Sequence, residues 1–246
     1  MEDRTPTGVL IEMANCTDPK AEVAFNEWYE KVHIPKMIGT GALYNGIRFR
    51  NTAPNRPEYE RRVPEAIYCT IYETNWPDTR KAYDAMQRRW QEWEKTGELH
   101  PAFQCTFQTM FWRRPEPAQG HTSEKPINGI SLVMIRGDKD FTRWAEHIHI
   151  RYIVQAMPKG FTMITRYENA LSQTEGPLWL HLYELDSEDP DSDVRQMVAT
   201  VRRLLGEETP MFKEWAKHPS REMWYVNTFK RVSPVGAVRP MHKMGS

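Results

Sequence analysis

Histidines, tyrosines and arginines recur at matched places along this 246-residue chain, and they are the side chains best suited to chemistry. WYEKVHI (28–34) and WAEHIHI (144–150) share Trp, Glu, His and Ile at one offset, since 144 − 28 and 149 − 33 both give 116. His33 and His149 therefore take one position twice, at the carboxyl end of a helix. There the macrodipole favours imidazolium, and a ring can act as general acid or base. The same position suits a histidine that only caps carbonyls and orients the turn. His147 and His149 point about 200° apart on a helix and do not chelate as an i, i+4 pair would. No metal is expected unless His181 or a carboxylate joins them.

The segments IYCTIYE (67–73) and LWLHLYE (178–184) read as matched strands. Alternation puts Leu178, Leu180 and Leu182 on one face and Trp179, His181 and Tyr183 on the other; Tyr68, Thr70 and Tyr72 form the corresponding row of the first copy. Tyr72 and Tyr183 can donate to a developing oxyanion, while Tyr68 and Trp179 can wall a substrate. The tyrosines can equally be hydrogen-bonded core residues. Arg48 and Arg166 match in the next pair of strands and can hold a carboxylate or phenolate through paired donors. Their alternative is a partner across the sheet, Glu12, Glu73 or Glu184. Glu30 and Glu146 read as residues of a solvated helix face. His147, His149, His181 and His218 make the second copy richer in imidazole.

The elements that must position these residues also repeat. EWEK (92–95) answers EWAK (214–217), and a His-Pro pair at His100 and at His218 closes each series. Each copy reads strand, helix, strand, strand, helix, strand. The first strand covers 8–15, a helix capped at Asp18-Pro19 runs to about His33 and stops near Pro35, and the second helix covers about 76–94. The last strand is 103–113. The units are therefore 1–114 and 129–232, joined by the Pro- and Gly-rich linker 115–128 and followed by a poorly ordered tail over 233–246.

This α+β order is the ferredoxin-like βαββαβ unit, whose antiparallel sheet leaves one face to be covered. The string FNEWYEKVHIPKMI (25–38) resembles the helix-1 signature of dimeric α+β barrel proteins, the EthD-like branch in particular. The resemblance implies two ferredoxin-like repeats whose antiparallel sheets pack into an intramolecular barrel with a pocket in each half. The leucine rows would then face the helices and the polar aromatics the barrel interior. It also implies an enzyme of aromatic-compound catabolism acting on a small hydrophobic, aromatic or polyketide-like substrate. The residues suit a cofactor-independent lyase or isomerase in which His149, His181 or His33 moves a proton, Tyr183 or Tyr72 meets the oxyanion, and Arg166 or Arg48 holds an acidic group. Two alternatives stay open. One is a haem- or oxygen-dependent oxidoreductase or monooxygenase with His149 or His181 as axial ligand; the other is a non-catalytic ligand-binding protein. WYEKVHIPKM in the first copy lies closer to the family pattern, whereas the histidines favour the second.

Lys plus Arg and Asp plus Glu are both 33, and no basic run interleaved with aromatics is present, so nucleic acid is not an expected partner. No apolar run reaches the ~20 residues that span a bilayer, and the N-terminus has no signal-peptide pattern, so a cytoplasmic protein is expected. Cys16, Cys69 and Cys105 show no disulfide or zinc spacing. Phosphate-binding glycine loops and the GxSxG elbow are absent from the sequence. Association of chains through an edge strand or the tail stays open.

Overall fold

The strand GVLIEMANC is apolar at nearly every position, which a strand buried on both faces requires. The computed structural model describes residues 2–54, 62–116, 119–120, 125–156, 158–171 and 174–233. The first repeat contributes strands β1 (Gly8–Cys16), β2 (Asn45–Asn51), β3 (Tyr68–Thr74) and β4 (Phe103–Arg113). A two-residue strand, β5 (Gln119–Gly120), lies between the repeats, and the second contributes β6 (Gly129–Arg136), β7 (Phe161–Asn169), β8 (Trp179–Leu185) and β9 (Glu222–Arg231).

Eight strands close an antiparallel ring in the order β4-β1-β3-β2-β9-β6-β8-β7, with β4 returning to β7. The repeats meet at two seams, β2 with β9 around Arg50↔Lys230 and β4 with β7 around Trp112↔Glu168. The expected pair of ferredoxin-like repeats packed as an intramolecular α+β barrel is thus the observed fold. β5, inside the segment read as linker, adds to β7. Of the tail, only Ser233 falls within the described residues. No helix among them is long and apolar enough to cross a membrane.

The barrel interior is a single apolar cluster that includes Val9, Ile11, Phe49, Ile71, Leu132, Leu182 and Phe229. Cys69, Leu180 and Leu182 belong to it, whereas Tyr68 and Tyr72 pack in a cluster with Phe25 and Tyr29 of the helix layer, and Tyr183 in one with Val201 and Trp215. The expected alternation is correct, but its direction is reversed: the leucines face the barrel and the polar aromatics face the helices. Two sheets meeting face to face make the driest space in the molecule, which takes the purely aliphatic rows; the sheet–helix layer accepts hydroxyls and imidazoles because side chains there find partners.

In each repeat the first helix is interrupted at the same place. Helix α1 (Glu22–Trp28) passes through a π-helical segment, Tyr29–His33, into α2 (Ile34–Gly39), and α4 (Lys139–Trp144) passes through Ala145–Ile150 into α5 (Arg151–Gln155). The helix does not stop near Pro35 as expected. The Ile34 N–H already reaches back to the Tyr29 carbonyl, so the missing donor of Pro35 falls where the i→i−4 ladder is broken anyway. Asp78 accepts from the Lys81 N–H, which delays α3 (Thr79–Thr96) beyond the expected Trp76. The second repeat divides this helix into α6 (Pro190–Leu205) and α7 (Pro210–Ala216), separated at Gly206, whose φ of 79° closes the first piece.

Asp138 starts α4 by accepting from the Phe141 N–H at 2.9 Å. That bond, with help from Ser220, holds the carboxyl below its usual value. Asp138→Ala is expected to lower the midpoint of chemical denaturation, because it removes the acceptor that caps the first turn of α4.

Candidate functional site

The two repeats build the same aromatic frame around their π-helical segments. Trp28 lies 5.0 Å from His33 at 31°, and Trp144 lies 5.0 Å from His149 at 30°. His100 stands edge-on to Phe25 at 5.7 Å, and His218 to Phe141 at 5.8 Å. Arg48 pairs with Glu30 at 3.8 Å and Arg166 with Glu146 at 3.3 Å. The expected partners of these arginines, Glu12, Glu73 and Glu184, are therefore replaced by the repeated helix glutamates. Glu30 and Glu146 turn inward rather than lying on a solvated face, because a buried guanidinium demands a counter-charge. Arg48 is also stacked on Tyr68 and Tyr29, 3.8 and 4.1 Å from the ring centres, and bonded to Asn26. Tyr68 reaches Glu22.

Inside this shared frame the contents differ. In the first repeat Glu12, fully buried in β1, is the hub. His33 Nε2 donates to its Oε1 at 2.9 Å, Gln108 donates to its Oε2 at 3.0 Å, and the Tyr29 hydroxyl donates to it while meeting Thr70 at 2.9 Å. Tyr72 adds a longer contact of 3.4 Å. Burial pushes the Glu12 carboxyl up, but the charge of His33 and these hydrogen bonds together hold it below its usual value. Burial and the same carboxylate push both Tyr29 and Tyr72 up. His33 and Tyr72 are thereby committed to a structural carboxylate.

The second repeat holds a cavity of about 340 Å³ between the sheet and α6–α7. Its walls include Val133, Met197, Val198, Phe212 and Val226, and its polar members include His149, His181, Tyr183, Arg202 and Arg221. His149 is clamped between two indoles, stacking on Trp215 at 5.0 Å and 12° and resting on Trp144. Its Nδ1 lies 3.0 Å from the Trp215 carbonyl, while Trp215 Nε1 donates to the His149 carbonyl at 3.0 Å. A carbonyl only accepts, so the proton sits on Nδ1 and Nε2 carries the lone pair. Burial, with Arg221 in support, pushes His149 down to about 4 against the opposing bond to Trp215. His181, two per cent exposed, is pushed well down by burial, then by Arg166 and His149, and its Nδ1 has no hydrogen-bond partner among the described residues. Trp179 stands apart from the cavity, in a cluster with Phe141 and Trp144.

These shifts have a measurable consequence. The folded His149 binds its proton more weakly than the unfolded chain does, so its contribution to stability is complete above pH ~6.5 and is lost as pH falls toward 4. Between pH 7 and pH 5, above the carboxylate range, the loss is expected to be ~2 kcal/mol, and His181 acts in the same direction. Thermal melts at the two pH values check this, with His149→Gln flattening the difference.

His149, His181 and Tyr183 are brought together; His33, Tyr72, Tyr68 and Arg48 lie in the other repeat, and Arg166 reaches this site only through its place beside His181. Sequence reasoning missed Glu12, Tyr29, Gln108, Trp215, Arg202 and Arg221. The lone carboxylate within VLIEMA and the repeated Trp of EWEK and EWAK were the available signals for Glu12 and Trp215. Among the described residues, no group of three or more His, Cys, Asp or Glu side chains is placed to hold a metal ion.

No family model and no curated protein matches the chain. Solved structures do match in fold. A mutant chlorite dismutase from Candidatus Nitrospira defluvii in complex with cyanide is similar at a TM-score of 0.57 and 8% identity, over 94% of this chain and 92% of that one. A dye-decolorizing peroxidase from Bacteroides thetaiotaomicron gives 0.56 and 9%, over 94% of each chain. A variant of DypB from Rhodococcus jostii in complex with haem gives 0.56 and 9%, over 92% of this chain and 93% of that one. The likeness is to ferredoxin-like α+β proteins of this wider group and does not single out the EthD-like branch. It also overturns the expectation of a cofactor-independent lyase or isomerase, because the neighbours are dismutases and peroxidases, one of them carrying haem.

Proposed function

We propose that the chain is a haem-dependent oxidoreductase whose cofactor is held in the second repeat by His149. The observation that supports this reading is the His149 imidazole itself: neutral, fixed in its Nδ1–H tautomer by the Trp215 carbonyl, and bordering an apolar cavity. Such an imidazole would hold an iron through Nε2, with the second nitrogen's hydrogen bond setting ring orientation and basicity. The cavity is small for a porphyrin, and the side chains able to yield are unbranched, Met197 and the stem of Arg202. Arg202 and Arg221 offer the cationic partners that acidic groups on a large apolar ring need.

Haem, when bound, supplies redox chemistry that no side chain here provides. The chain's own residues do the rest. Apolar walls exclude water, which strengthens every electrostatic contact within. His181, held neutral by burial and by Arg166, is a proton acceptor for a small hydroxyl-bearing or peroxide-like substrate. Arg166, opposite His181 in the β7–β8 register and with Nε and Nη2 buried and without a hydrogen-bond partner among the described residues, favours negative charge on that substrate. Tyr183 adds polarity to the same wall.

Hemin titration of the purified apoprotein tests the proposal. A Soret band that saturates at one equivalent per chain is expected; a spectrum indistinguishable from free hemin overturns it.

A further inference from the structure

The repeats differ at four matched positions, Glu12/Val133, Thr70/His181, Gln108/Val226 and Tyr29/Ala145, and at three of them the first repeat carries the larger, more polar side chain. Glu12 pairs with Thr70 and Gln108 across the sheet, and Val133 pairs with His181 and Val226 at the corresponding register. A bulge follows one residue later in both, after Met13 and after Met134. On the helix side, Tyr29 follows Trp28 as Ala145 follows Trp144. Carboxylate, phenol and amide in one repeat thus answer isopropyl, methyl and isopropyl in the other. Glu12 and Tyr29 are fully buried, whereas Val133 and Val226 line the cavity. The tryptophan–histidine and histidine–phenylalanine pairs are kept in both repeats, while the helix that covers the sheet is continuous in the first and divided into α6 and α7 in the second.

We infer that the first repeat is a second ligand site plugged by its own side chains: Glu12, Tyr29 and Gln108 occupy the space that Val133, Ala145 and Val226 leave to an apolar ligand. His33 Nε2 makes the contact that marks the direction taken for the equivalent nitrogen of His149, since the two rings keep the same distance and tilt against their tryptophans. Thr70 meets the Tyr29 hydroxyl, whereas His181, at the equivalent position, has no hydrogen-bond partner for its Nδ1 among the described residues. The plug is more than filler, because its polar atoms satisfy one another around Glu12 and remove the need for an external partner. The inference uses the proposed site but not the identity of its ligand.

N-phenyl-1-naphthylamine, an uncharged apolar fluorophore, reads the cavities independently of iron. The wild-type chain is expected to bind one equivalent. Val133→Glu with Ala145→Tyr and Val226→Gln, which copies the plug into the second repeat, should lose that binding while keeping its far-ultraviolet dichroism and cooperative melting. Glu12→Val with Tyr29→Ala and Gln108→Val should bind two equivalents. Two equivalents on the wild type, or undiminished binding by the folded plugged variant, overturns the inference; should the opened variant fail to fold, the plugged variant decides. Hemin is titrated in parallel. If the fluorophore binds once and hemin does not bind, the haem reading falls and the plug stands.

Discussion

Glu12→Ala is expected to lower the unfolding free energy by about 3–5 kcal/mol, because removing the shared acceptor of a buried hydrogen-bonded network strands its donors. His33, Tyr29 and Gln108 all donate to this one carboxylate, and His33 and Tyr29 are buried away from water. The desolvation cost of leaving such donors unmade exceeds what the bonds contribute when made. Urea denaturation at pH 7 measures the effect; a loss below ~1 kcal/mol would show that the network is not held together by the carboxylate. Glu12→Gln keeps the shape and an acceptor oxygen and should fall between the two. Removing Tyr29 and Gln108 along with Glu12 should cost less than the three single changes suggest, since groups removed together leave fewer orphans behind.

His149→Gly is expected to weaken hemin binding by at least ~100-fold, on the order of 3 kcal/mol. The imidazole is held between Trp144 and Trp215 and fixed in one tautomer, so its loss removes a preorganised ligand and not a mobile one. The gap left between the two indoles matches free imidazole, which should restore the Soret band when added. Restoration assigns the band to a nitrogen ligand at this position. An unchanged titration in His149→Gly would move the ligand elsewhere, and His181 would be the next residue to replace.

The duplication was legible because WYEKVHI and WAEHIHI keep their spacing, and strand parity grouped Trp179, His181 and Tyr183 correctly. What parity cannot tell is which side of a sheet meets helices and which meets another sheet. Both sides of β1 and β8 are buried here, so the polarity of a row was a poor guide to its direction. The helix break at Pro35 failed for a related reason: a π-helical turn, also present in the second repeat where Arg151 stands in place of the proline, makes room that a regular helix lacks. The reaction class failed because histidine and tyrosine inventories describe proton transfer and iron ligation equally well. Trp215 fixing the His149 tautomer is a contact between α7 and the π-helical segment Ala145–Ile150 that no local spacing encodes.

The closed ring has a consequence for how the chain acquires its structure. Most strand pairs join segments within one repeat, but β2 and β9 are separated by six other strands in sequence, and their seam holds three residue pairs. Each half can gather its local contacts early, whereas the β2–β9 seam waits for the longest loop closure in the molecule and is repaid by three residue pairs. Refolding should therefore show a late step in which the amides of the β2–β9 seam lose exchange last. Until that step both halves expose strand edges, so the vulnerable species for aggregation is the pair of folded repeats before they join.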